Sequence, residues 1–193
     1  NAADTGQCER TLLIADEVQT GLGRTGHPFY FPVLGLEPDL VSVGKALGGG
    51  VPVGAVLMSE RVADAISPGD HGSTYGGNLL ACRAAVFFLD QLMNGGLLDH
   101  VRSVGTHFER QLRVLALKHP IIVERRGVGL MQGLQLSVDA TPIVDMARDR
   151  GLLVNRTNER VVRMLPPLTI EAKDLDHAID ILDGVLAETQ AHV

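Results

Sequence analysis

Apolar positions recur along this chain in two rhythms, and the change from one to the other divides it. Thr11-Leu-Leu-Ile-Ala-Asp16 and Leu40-Val-Ser-Val43 are short, nearly unbroken apolar runs, the pattern of buried parallel strands. Val51 to Met58 is a β-branched run that opens with Pro52, a position a strand tolerates, and adds an edge strand. Ser59 is placed to cap a short helix over Glu60–Ile66, and 68–78, rich in Gly, Ser, Thr and Asn, is loop. Then the period lengthens. Leu80, Ala84, Phe87, Phe88 and Leu92 predict a helix over Leu79–Met93, broken by Gly95-Gly96. Leu97, Val101, Val104, Phe108, Leu112 and Leu115 predict a second over Leu97–Leu117.

Beyond it strands and helices alternate. Ile121–Arg125 and Leu130–Leu136 read as a strand pair joined through Gly127 and Gly129. Thr141 caps a helix with Pro142 in its first turn and Gly151 at its end. Leu152–Asn155 and Val161–Leu165 are further strands, and Leu175, Ile179, Leu182 and Leu186 line a final helix over Ala172–Glu188. The expectation is an α/β region over 1–93 followed by a compact α+β region over 94–193.

Composition narrows the function. With 45% hydrophobic and 21% charged residues the chain has the make-up of a globular protein. A net charge of −6 and no Lys/Arg run argue against nucleic acid as a partner. Cys8 and Cys82 lack C-x-x-C spacing, so neither zinc nor a disulfide framework is expected, and a reducing cytoplasmic setting fits. His100, His107 and His119 lack the spacing of metal ligands and read as structural. No apolar run is long enough to span a bilayer, so no membrane partner is expected. The chain opens at Asn1 and reaches a core strand by Thr11, which leaves few strands for a doubly wound sheet. The expectation is the C-terminal part of a longer protein.

Three stretches carry candidate chemistry. Gly21-Leu-Gly-Arg-Thr-Gly26 matches G-x-G-x-x-G in letters. A dinucleotide fingerprint must open a helix directly after its strand. Here four residues intervene after Asp16, and Pro28 and Pro32 forbid a regular helix beyond, so the stretch reads as an irregular loop. Lys45 lies in Asp39-Leu-Val-Ser-Val-Gly-Lys-Ala-Leu-Gly-Gly-Gly50. A phosphate loop of the Walker kind requires glycine where Asp39 stands and Ser or Thr where Ala46 stands. Two readings remain for Lys45: a surface lysine opening a glycine-rich turn, or a buried amine able to form a Schiff base. The second requires a carboxylate opposite a pyridine nitrogen. Asp16 is the candidate, because ligands of open α/β sheets sit beyond the carboxyl ends of the strands.

Four ordered segments carry a resemblance. Asp16-Glu-Val-Gln-Thr-Gly-Leu-Gly-Arg-Thr-Gly26, Gly44-Lys-Ala-Leu-Gly-Gly-Gly-Val-Pro-Val-Gly-Ala55, His71-Gly-Ser-Thr-Tyr-Gly-Gly-Asn78 and Val162-Arg-Met-Leu-Pro-Pro-Leu168 resemble the class III pyridoxal-phosphate aminotransferases. Within that class they are most similar to the acetylornithine aminotransferases. The likeness runs from about residue 10 to the C-terminus.

The resemblance implies a fold-type I transferase, with 1–93 the C-terminal part of the large cofactor-binding domain and 94–193 the small domain. It implies pyridoxal 5′-phosphate held by Lys45 as a Schiff base, with Lys45 also moving the proton from the substrate's alpha carbon. Asp16 pairs with the pyridinium nitrogen, Val18 packs on the ring, Gln19 bonds the phenolic oxygen, and Glu17 lines the same segment. Thr74 reaches the cofactor of the other subunit of a homodimer, Ser73 lies near the substrate, and Arg163 grips its carboxylate. Leu79 stands where the family commonly has proline.

The implied reaction is transfer of the delta-amino group of N2-acetylornithine to 2-oxoglutarate, in arginine biosynthesis. Ornithine, succinylornithine, succinyldiaminopimelate and 4-aminobutyrate stay open as donors, as does an aminomutase. The half that in this family carries the phosphate loop and the aromatic residue over the ring is expected to be missing, so a noncatalytic folded module stays open too.

Overall fold

The computed structural model describes residues 11–191; Cys8 lies outside them. The chain divides into two compact units, one comprising the chain up to Leu22 with Phe29–Gln91, the other Gly23–Pro28 with the chain from Leu92 onward. No helix of the described residues is long and apolar enough to cross a membrane.

The first unit holds a three-stranded sheet in the order β1 (Ile14–Asp16), β2 (Leu40–Val43), β3 (Ala55–Met58). β1 and β2 are parallel, with Asp16 opposite Ser42, and β3 runs antiparallel to β2 at the other edge. The predicted Val51 run starts its strand late, at Ala55. Central β2 buries Val41 and Val43. β1 was expected to be equally buried, yet Ile14 is 62% exposed. Having β2 on one side alone, β1 shows its other edge and its apolar side chains uncovered among the described residues.

α1 (Glu60–Ala63) follows Ser59, but Ser59 gives no side-chain cap; its hydroxyl is buried without a partner and its carbonyl alone meets the helix. α2 (Leu79–Met93) has the predicted bounds. Asn78 caps it through its side-chain oxygen to Ala81 N (2.9 Å). The predicted apolar stripe is buried fully only at Leu92, 2% exposed, while Leu80 is 70% and Phe87 62% exposed. Periodicity reports an apolar face and says nothing of what covers it.

The second unit is a four-stranded antiparallel sheet in the order β4-β5-β7-β6, comprising β4 (Ile122–Val128), β5 (Met131–Leu136), β6 (Asn155–Asn158) and β7 (Val161–Met164). α3 (Leu97–Lys118), α4 (Thr141–Asp149) and α5 (Ala172–Ala191) pack with it. The core joins Val101, Phe108, Leu112 and Leu115 of α3 to Leu175, Leu182 and Leu186 of α5 and to Leu134, Leu136 and Val162 of the sheet.

Two local expectations shift. Thr141 is inside α4 rather than capping it; Asp139 Oδ1 takes its backbone N–H and its hydroxyl, both at 2.7 Å. An acid two residues ahead makes a better acceptor than a hydroxyl. The strand expected at Leu152–Asn155 runs instead over Asn155–Asn158, because pairing with β7 sets its register from Asn155↔Arg163. Gly151, with φ 84°, ends α4 as expected.

The histidines tie α3 to α5. His107 Nε2 donates to Asp176 Oδ1 and Gln111 donates to the same oxygen. Hydrogen bonds from Gln111 and then His107 hold the Asp176 carboxyl below the usual carboxylate range. His119, 1% exposed, donates to Asp183, which Lys118 also meets; hydrogen bonds from Lys118 and then His119 lower that carboxyl too. Among the described residues no His/Cys/Asp/Glu cluster could hold a metal, and Cys82 is free and exposed.

Candidate active site

Asp16 and Lys45 stand at the carboxyl ends of adjacent parallel strands. The ladder continues one step beyond β1 through Glu17 N to Ser42 O (3.0 Å). Asp16 Oδ1 is braced by Val18 N–H and by the Ser42 hydroxyl, each at 3.1 Å, while Oδ2 has no partner among the described residues. The carboxylate is therefore oriented with one oxygen committed and the other presented.

Lys45 follows β2 through Gly44 and opens a 3-10 turn over Lys45–Gly48. Its φ is 45°, in the left-handed region where a side chain crowds its own carbonyl. Residues other than glycine persist there where the surroundings over-determine them, commonly at functional sites. Of the two placements left open for Lys45, a buried amine and a surface lysine at a turn, the chain shows it exposed, without an ion pair among the described residues. A Cβ placed on Gly44 would stand 3.7 Å from Val18 Cγ1, so Val18 lies against the residue that precedes the lysine.

Glu17 was read from sequence as part of the cofactor-lining segment; its carboxylate faces inward. It is 3% exposed, and Oε1 accepts Tyr30 N–H (2.6 Å) and Phe31 N–H (2.7 Å) while Oε2 accepts the Thr20 hydroxyl (2.6 Å). A buried carboxylate holding three donors fixes the loop that carries Val18 and Gln19. Glu17→Ala is expected to lower stability in urea titration by about 2–4 kcal/mol, since both main-chain donors lose their acceptor. Glu17→Gln, which keeps an acceptor, is expected to cost less; equal midpoints for the two variants would remove this role. Gln19 is half-buried in the same segment.

Ser73 and Thr74 are exposed in the 68–78 loop. Ser73 helps line a cleft of about 350 Å³ with Gly54, Asn78, Ala81 and Cys82; Thr74 is not among its walls.

Arg163 belongs to the second unit. On β7 it points opposite to Val162 and Met164, which are buried, and is itself half-buried. Its strand neighbours are Gly133 and Asn155, and Nε donates to Asn155 Oδ1 at 3.3 Å. The Asn155 amide oxygen thus steers the guanidinium from the neighbouring strand. Sequence reading did not single out Asn155; only strand register brings it to Arg163.

A cofactor with a pyridine nitrogen to keep protonated and an aldehyde to bind requires one presented carboxylate and one amine without a counter-ion on neighbouring elements. Asp16 and Lys45 have these properties, and the donor set fits pyridoxal phosphate.

Comparison with known proteins identifies the family. The aminotransferase class-III family profile matches residues 2–186. Acetylornithine aminotransferase of Methanothermobacter thermautotrophicus is 45% identical over 177 residues, spanning 92% of this chain and 45% of that protein. Ornithine aminotransferase of Brevibacillus brevis is 41% identical over 190 residues, spanning 98% of this chain and 47% of that protein. The structure of Plasmodium falciparum ornithine delta-aminotransferase superposes with a TM-score of 0.88 at 34% identity, covering 95% of this chain and 49% of that one. This chain thus spans less than half the length of the proteins it matches, and its fold is that of the fold-type I transferases. It belongs to the class-III aminotransferase family, whose members depend on pyridoxal phosphate.

Proposed function

We propose that this chain supplies the C-terminal part of a pyridoxal-phosphate aminotransferase that moves the delta-amino group of N2-acetylornithine to 2-oxoglutarate. The first unit is then part of the large domain and the second the small domain. The observation that carries the reading is the pair of parallel strands ending in Asp16 and Lys45, one oxygen of the acid braced and the amine unpaired among the described residues.

When bound, pyridoxal phosphate supplies an aldehyde that takes up amines and a protonated ring that stores an electron pair. Asp16 would hold the proton on the ring nitrogen, because Val18 N–H and Ser42 Oγ–H steady Oδ1 and leave Oδ2 without a partner among the described residues. Lys45 would hold the group through its aldehyde carbon, and its Nζ, when free, would take the proton from the carbon that bears the transferred amine, so one residue would serve as anchor and base. Val18 would pack on the ring and Gln19 would bond its phenolic oxygen.

Arg163 takes the substrate carboxylate through its planar fork. Ser73 lies beside the substrate, and Thr74 gives its hydroxyl to the cofactor phosphate of the second subunit of a homodimer. The acetylated donor is favoured by the relative from Methanothermobacter. Ornithine is the second reading, favoured by the name of the Brevibacillus relative.

The test is reductive trapping. Incubated with pyridoxal phosphate and reduced with borohydride, the purified protein in its natural length is expected to carry one pyridoxyl group, mapped to Lys45. With 2-oxoglutarate present, glutamate formation is expected to be at least about tenfold more efficient from N2-acetylornithine than from ornithine. An adduct elsewhere, or none, sinks the site; a reversed preference sinks the donor.

A further inference from the structure

The glycine-rich stretch Gly21–Gly26 is used by nothing in the proposed reaction, yet the structure gives it an unusual place. Gly23–Pro28 belongs to the second unit, although Leu22 before it and Phe29 after it belong to the first. The segment is closed on itself by Gly23 N to His27 O (3.1 Å) and Gly26 N to Gly23 O (2.9 Å).

Within the second unit it is fastened at several points. Leu130 N donates to Arg24 O at 3.0 Å, and Arg102 Nε donates to Gly26 O at 2.8 Å. Arg24 Nη1 donates to Leu130 O at 3.4 Å, just before β5, and to Pro166 O at 2.5 Å, just past β7. Gly129 has φ 58°, and a Cβ there would stand 2.8 Å from Arg24 O and from Thr25 C. Only glycine permits that approach.

Arg24 itself is costly. Its guanidinium is partly buried, and desolvation lowers its pKa from the ordinary value. It has main-chain carbonyls for partners and forms no ion pair among the described residues. Burying a cation without a counter-charge is unfavourable, so the contact with Pro166 calls for a reason beyond loop closure. That reason lies along the chain, because Pro166 lies three residues after Arg163, just past the end of β7.

We propose that Gly23–Pro28 is a strap and Arg24 a positioning residue that fixes the exit of β7, and through it the aim of the Arg163 guanidinium at the substrate carboxylate. The proposal rests on the role given to Arg163 above.

The test compares Arg24→Lys, Gly129→Ala and Arg163→Lys in the purified protein in its natural length. Arg24→Lys keeps the charge but loses the fork, and Gly129→Ala lifts the strap without touching a cation. Both are expected to raise KM for the carboxylate-bearing donor about tenfold with kcat changed less than about twofold, and to leave borohydride trapping at Lys45 intact. In both, exchange of the Leu130 amide hydrogen is expected to quicken about tenfold while Val41 in β2 stays protected.

Arg163→Lys is expected to raise KM further than either. If Arg163→Lys leaves KM unchanged, the assignment of the carboxylate to Arg163 is overturned. If it raises KM while Arg24→Lys and Gly129→Ala free the Leu130 amide without moving KM, the strap is purely structural and the positioning role is overturned.

Discussion

Lys45→Ala is expected to reduce the proposed transamination by about 10⁴-fold, the upper end for a general acid–base residue, and to abolish borohydride-trapped cofactor. The fold is expected to survive, because Lys45 is exposed and forms no ion pair among the described residues. A second variant separates chemistry from structure. Lys45 is held at φ 45°, a conformation that costs a side-chain-bearing residue about 1–2 kcal/mol and glycine almost nothing. Lys45→Gly is therefore expected to be more stable than the parent by about 1 kcal/mol in urea titration, and as inactive as the alanine variant. If Lys45 merely opened a glycine-rich turn, Lys45→Gly would gain stability and keep its activity. That result would return the residue to the bland reading.

Phe108→Ala is expected to cost the second unit about 3–5 kcal/mol. Phe108 is 2% exposed on α3, and it forms one wall of an apolar cavity of about 250 Å³ with Leu152, Met164, Leu175, Ile179 and Leu182. Removing the ring enlarges a space that helix and sheet have already failed to close, so the site has little means of collapsing. Against a typical domain stability of about 5–15 kcal/mol, the loss is a large share of what holds β7, and with it Arg163, in place. Chemical denaturation followed by a probe in the second unit measures it; a loss below about 1 kcal/mol would mean that the neighbours repack freely.

The extent to which this protein can be read without coordinates depends on the range of the forces involved. The helix over Leu79–Met93 and the core stripe of α3 follow from the spacing of apolar residues, which is local. The strand over Leu40–Val43 is equally local. So is the chemistry of the two strand ends: a short apolar run ending in Asp16 and another leading to Lys45 are visible as letters, and the four motifs carry the family.

Residues brought together from far apart in the chain are another matter. Glu17 looks like a neighbour of Asp16 and shares its charge, but a turn returns Tyr30 and Phe31 to it and makes it a buried brace. Gly21–Gly26 matches a dinucleotide fingerprint in letters; hydrogen bonds of Arg24 with Leu130 and Pro166 instead tie Gly23–Pro28 into the second unit. Asn155 and Gly133 flank Arg163 only through antiparallel register, which short strands do not declare because a one-residue slip reverses every side chain.

The amino-acid order alone determined the family the chain belongs to and the principal helices, Leu79–Met93 and the one opening at Leu97, because each depends on neighbours a few residues away or on whole motifs. Burial and partnership were decided in three dimensions. Ile14 of β1 and Leu80 and Phe87 of α2 stand exposed and Lys45 lies open, since a hydrophobic period states a demand for cover and only packing determines whether it is met.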